Sequence, residues 1–176
     1  MLTAALSALP ALASAAVLSP VLDGVLWGEG SAALAQKFAG RAIRLAPPIE
    51  FGDSYVDVAL KGEEIGGYDF TVYFQMDKRT RGLKRVMLER QRHGANPRVF
   101  RAVHDVLTAD YGPATCRRAS QEIWQTDGLA IRAVFHDTSL EASEGCTSAL
   151  NGPCGTTGHL YIQIAPGASG ADPCTR

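Results

Sequence analysis

Residues 68–76 read Tyr-Asp-Phe-Thr-Val-Tyr-Phe-Gln-Met. Tyr68, Phe70, Val72, Phe74 and Met76 fall on one side of an extended chain, and Asp69, Thr71, Tyr73 and Gln75 on the other. Successive side chains of a strand point to opposite faces, so period two with one apolar side predicts a strand with one face on a core and one in water. Parallel strands are covered on both faces and read as continuous apolar runs, so this stretch predicts an antiparallel sheet. Working upstream, Tyr55–Leu60 alternates as well, with Val56, Val58 and Leu60 on one face and Tyr55, Asp57 and Ala59 on the other. Lys61–Gly67, with three glycines, is the expected turn between the two. Downstream, Asp77–Gly82 turns the chain and Leu83–Arg92 brings it back, completing a three-stranded meander.

Helices are expected on either side of that meander. Ser31 is placed to cap a helix through Ala32–Ala39, with Gly40 as its stop. Asn96-Pro97 combines a capping residue with a proline at the first helical position. Val99, Phe100, Val103, Val106, Leu107 and Tyr111 then come at helical spacing up to Gly112-Pro113. Gln121–Gln125 and Leu129–His136 flank Asp127-Gly128, a strong hairpin signal. His159–Ala165 alternates again. The expected fold is α+β: one antiparallel sheet of about six strands with two helices on one face, in the order α-β-β-β-α-β-β-β. The two halves look alike in layout, with no matching sequence between them.

The N-terminus and the cysteines speak to compartment. The first 22 residues of this 176-residue chain carry no charged side chain, and the first charge is Asp23. Ala11-Leu12-Ala13 and Ala13-Ser14-Ala15 place small residues as a signal peptidase requires. Residues 1–20 are expected to be a signal peptide, 23–165 one domain, and 166–176 a tail. Cys116, Cys146, Cys154 and Cys174 are even in number, and in an exported chain they predict two disulfides. Four cysteines allow three pairings. Cys146 and Cys154 bracket a short turn-rich loop and are expected to pair, leaving Cys174 to tie the tail to Cys116. The expected location is periplasmic or secreted, with no transmembrane segment in the mature chain. Net charge is −1, which gives no global attraction for nucleic acid.

The Leu26-Trp27-Gly28 lead-in to the first helix, the Gly82-Leu83 turn, and Val106-Leu107 followed by Tyr111-Gly112-Pro113 resemble small exported proteobacterial domains. The layout is similar to β-lactamase-inhibitor-like and outer-membrane-assembly-lipoprotein-like α+β modules. The resemblance implies binding of other proteins without catalysis, and it carries no site residue over to this chain.

The residues themselves offer little chemistry. A serine nucleophile elbow, a His-Glu-x-x-His helix and a phosphate-binding glycine loop are all missing from the sequence. No cofactor and no metal are expected. The rival reading is a small periplasmic hydrolase or metal-dependent enzyme using His136 and His159, with Glu141 or Glu144 nearby. The strongest charged feature lies between Asp77 and Arg92, where seven cations (Lys78, Arg79, Arg81, Lys84, Arg85, Arg90 and Arg92) face two carboxylates. Such charge either guards a sheet edge or faces an anion, and Lys84 and Arg85 are expected on opposite faces. The favoured function is therefore an exported, non-catalytic domain that binds a protein or an anionic envelope component. Lys84, Arg85, Arg81, Tyr73 and Tyr55 are its candidate contacts, because Tyr and Arg anchor interfaces.

Overall fold

A computed structural model describes residues 16–90, 97–118, 121–126, 128–137 and 158–167, the last strands' residues 136, 137, 158 and 159 by backbone alone. It overturns the six-stranded, two-helix α+β layout. The described chain forms one eight-stranded antiparallel sheet with a few short helices. The helices are α1 (Ser19–Leu22), α2 (Ser31–Lys37) and α3 (Pro97–Tyr111). The strands are β1 (Ala42–Glu50), β2 (Ser54–Ile65), β3 (Tyr68–Asp77), β4 (Leu83–Glu89), β5 (Cys116–Arg118), β6 (Gln121–Thr126), β7 (Leu129–Asp137) and β8 (Gly158–Pro166). Their spatial order is β1-β2-β3-β4-β8-β7-β6-β5. Two four-stranded meanders, one following α2 and one following α3, thus meet along their last strands, β4 and β8.

β1 and β5 escaped the sequence reading because neither alternates. β1 is an outer strand, mostly exposed, and its register breaks between Arg44 and Ile49, where Pro47 and Pro48 sit. β5 is three residues long. The expected turn Lys61–Gly67 is mostly strand: β2 continues to Ile65, with a bulge that accommodates Gly62. The turn itself is Gly66-Gly67, both at positive φ, which suits a two-residue hairpin joining Ile65 to Tyr68. Ser31 is not the cap of α2. Gly30 occupies that position, with no side-chain hydrogen bond.

Register carries the core across the whole sheet. Val72 pairs with Leu60 and Leu88, Leu88 with Ile162, and Ile162 with Ala133. One rung along, Phe74 pairs with Val86, then Ile164, Ile131 and Trp124. All of these are buried on the face that the helices cover. α2 contributes Leu34, and Phe38 just beyond it stacks on Phe74 with ring centroids 5.3 Å apart. α3 contributes Val99, Val103 and Leu107, spaced four apart on one stripe. The Trp124 indole N–H donates to the Gly112 carbonyl at 3.0 Å, satisfying the polar end of a buried ring. Each such fully buried large side chain stabilises by roughly 1.5–3 kcal/mol relative to exposure.

The core takes in residues upstream of residue 23. Leu18 and Val21 are 0% and 1% exposed and belong to the core. Tyr55 also moves. It lies 4% exposed in the helix-covered core, beside Val58 and Leu60 rather than opposite them. The cause is a register shift in β2 between Tyr55 and Ala59, which reverses the alternation.

Candidate binding face

The face turned away from the helices is built by the complementary set of residues. One rung crosses all eight strands through Ile43, Ala59, Tyr73, Met87, Gln163, Arg132, Ile123 and Cys116. The next runs through Lys61, Thr71, Glu89, Tyr161, Val134, Gln121 and Arg118. Among the described residues, two depressions lie on this face. The larger, about 840 Å³, lies over β1–β3 and is lined by Ile43, Leu45, Ile49, Lys61, Thr71 and Tyr73 among others. The second, about 670 Å³, lies over β3, β4 and β8, with Phe51, Asp53, Gln75, Arg85, Met87 and Tyr161 in its wall. Such shallow, mixed aromatic and polar surfaces suit contact with a partner more than enclosure of a small substrate.

The polar hub of the second depression is Arg85. Its guanidinium donates to Asp53 at 2.6 Å, to the Gln75 side-chain oxygen at 2.7 Å and to the Ser54 hydroxyl at 3.2 Å. Gln75, buried within the sheet, in turn reaches the Met87 sulfur at 3.6 Å. Lys84 donates to Asp53 at 2.8 Å and to Asp77 at 3.2 Å. Asp77 accepts the backbone N–H groups of Arg79 and Thr80 through its other oxygen, both at 2.9 Å, closing the β3–β4 turn. The Lys84 and Arg85 donors hold the Asp53 carboxyl well below the usual carboxylate range. The Thr80 and Arg79 amides, with Lys84, bring Asp77 down to about 2. Asp53 and then Asp77 push Lys84 up.

These contacts change the reading of the charged segment. β4 is fourth of eight strands, not an edge, so edge protection is not the reason for its cations. Lys84 is the extra residue of a bulge, since Gln75 pairs with Arg85 and Met76 with Leu83. It therefore turns with Arg85 toward Asp53, instead of opposing it. Arg81, at positive φ, holds its guanidinium 4.3 Å from the centre of the Tyr55 ring. Of the five candidate contacts, Tyr73 and Arg85 line the face turned away from the helices, while Tyr55 packs in the core beneath Arg81. Met87, Tyr161 and Gln163 on that face were missed. Alternation marks β8 as a strand but does not say that β4 is its neighbour, so the residues brought beside Arg85 stayed hidden.

Two further groups concern catalysis. His104 on α3 and Glu122 on β6 lie 2.6 Å apart, and Arg117 holds the other oxygen of Glu122 at 2.6 Å. This is a buried carboxylate clamped between helix and sheet, on the helix-covered side, which no histidine spacing could reveal. The backbone register sets His136 opposite His159, while their side chains, Glu141 and Glu144 lie outside the described residues. Among the described residues no cluster of His, Cys, Asp and Glu could hold a metal. Cys116 is buried and disulfide-bonded, and Cys146, Cys154 and Cys174 lie outside the described residues. Among the described residues no helix is long and apolar enough to cross a membrane. No protein-family model, curated protein or solved structure matches the chain.

Proposed function

We propose that this is an exported, non-catalytic domain that captures a protein partner on the open face of its sheet. The observation that carries this reading is the division of the sheet. One face is sealed by helices, and the other presents Tyr73, Met87, Tyr161 and Arg85 around two adjoining depressions. Between a protein and an anionic envelope component, the ion pairs favour the protein. Lys84 and Arg85 are already matched by Asp53 and Asp77, which leaves little unopposed positive charge for phosphate or acidic glycan.

The test is capture from native envelope extract on immobilised mature protein, followed by titration of the captured partner. Tyr73→Asp places a charge in the centre of the face and is expected to weaken binding at least about tenfold. Arg101→Glu, exposed on α3 away from the face, is expected to leave it unchanged. Equal binding by the Tyr73→Asp protein refutes the proposal, and so does a partner whose binding is lost with Arg101→Glu.

A further inference from the structure

We propose that the corner presenting Leu26, Arg79 and Arg81 seats the protein on an anionic lipid surface, the leucine entering the acyl boundary and the arginines meeting headgroup phosphates. The inference is independent of what the face turned away from the helices captures, because neither depression there takes in any of the three residues.

Leu26 is 67% exposed, more than any other large apolar side chain among the described residues. Its loop is held firmly. The Leu26 N–H donates to the Glu29 carboxylate at 2.8 Å, and the Glu29 N–H returns to the Leu26 carbonyl at 3.1 Å. Lys37 on α2 donates to the Glu29 carboxylate at 2.8 Å and to the Gly24 carbonyl. The Gly28 N–H donates to the Leu83 carbonyl at 2.9 Å, and the Leu83 N–H to the Glu29 carbonyl at 2.8 Å. These bonds fix an apolar side chain in water before anything arrives, so little ordering remains to oppose its insertion. They also pin it beside the β3–β4 turn. A Cβ on Gly82 would lie 2.9 Å from the Gly28 Cα, which keeps Leu26 and Arg81 within about 16 Å of each other.

Charge selects the partner. Lys37 is paired with Glu29, Lys78 with Glu50, and Lys84 with Asp53 and Asp77. Among the described residues Arg79 and Arg81 meet no carboxylate, and Asp23 is the one acid of the loop without a cation, so the corner is left net positive. Arg81 is also the one non-glycine at positive φ among the described residues. A backbone held where glycine is favoured marks a residue kept for its side chain. The Tyr55 ring, 4.3 Å from the guanidinium, braces that side chain without neutralising it. A stable protein interface needs about 800 Å² from each partner, more than these three side chains supply. A bilayer asks only for an apolar side chain at its acyl boundary and cations at its phosphates.

The experiment is flotation of protein purified from the producing cell with mixed phosphatidylglycerol–phosphatidylcholine vesicles and with phosphatidylcholine vesicles alone. Binding to the mixed vesicles is expected, with a blue shift in the emission of Trp27, which adjoins Leu26 and is only partly buried. Leu26→Ser is expected to weaken that binding about tenfold. Arg79→Gln with Arg81→Gly, the glycine suiting the positive φ, is expected to weaken it at least about tenfold. Arg101→Gln, which removes a charge exposed on α3, is expected to leave it unchanged. No binding, equal binding to neutral vesicles, or binding without a shift in Trp27 emission refutes the proposal. Binding that survives Leu26→Ser and falls with the arginine variant marks a site for soluble polyanions and overturns the lipid assignment. A loss with Arg101→Gln as large as with the arginine pair reduces the effect to net charge and overturns the corner.

Discussion

Tyr73 and Phe74 are neighbours in β3 with opposite surroundings, and substituting each by alanine separates the two faces of the sheet. Phe74 is fully buried and stacked on Phe38, with ring planes 24° apart. Removing such a ring costs about 3–5 kcal/mol, because transfer energy is lost and the rigid sheet beneath α2 closes poorly over the gap. At roughly 2–4 °C per kcal/mol for a domain of this size, Phe74→Ala lowers the thermal midpoint by about 6–20 °C. Tyr73 stands half-buried on the open face, and truncating it costs about 1 kcal/mol, or no more than about 4 °C. Differential scanning fluorimetry of the two variants beside wild type, checked by urea titration, reads the difference. If Tyr73→Ala falls as far as Phe74→Ala, the open face is a second core and cannot serve as a docking surface. If Phe74→Ala costs less than about 2 kcal/mol, the reasoning from register to burial fails.

The same geometry sets other outcomes. Asp53 and Asp77 are held below the usual carboxylate range in the folded chain and return to about 3.9 when it unfolds. The unfolded chain then binds more protons, so stability is complete above about pH 5 and declines as pH falls toward 2. The Asp53→Asn, Asp77→Asn double variant flattens that slope in pH-dependent urea titrations. Arg85→Glu sets a carboxylate against Asp53 and lowers the thermal midpoint by several degrees at pH 7, and adding Asp53→Lys recovers at least half of the loss. Gly82→Ala is more severe, because a Cβ there would sit 2.5 Å from the Gly28 carbonyl oxygen, across the Gly30–Gly82 bridge. Separation of that segment from the sheet costs at least about 2 kcal/mol by urea titration, whereas Gly52→Ala, which meets nothing, costs under about 1 kcal/mol.

How far the fold could be read tracks how local its determinants are. β3 and the β6–β7 hairpin announced themselves because alternation and an Asp-Gly turn act within a few residues. α3 did so through its apolar stripe and its terminal Pro and Gly. Bulges defeat that logic. The one near Tyr55 reversed a face, and the one at Lys84 changed which carboxylate a lysine meets. Strand β1 hid because two prolines break its pattern, and β5 because three residues show no period. The charged segment misled for another reason. Its cations are answered by Asp53, which lies 31 residues before Lys84 and outside any window that counts local charge. His104, Glu122 and Arg117 likewise come from three elements that only the folded sheet assembles.

The outermost strand has a consequence for how anything can attach. Pro47 and Pro48 have no amide hydrogen to offer, and the opposite margin of the sheet is only three residues wide. Among the described residues, a visiting peptide therefore finds no long, regular ladder to zip onto at either border. The recognition proposed above would then fall to the broad surface, side chain against side chain, which would tie selectivity to residue identity.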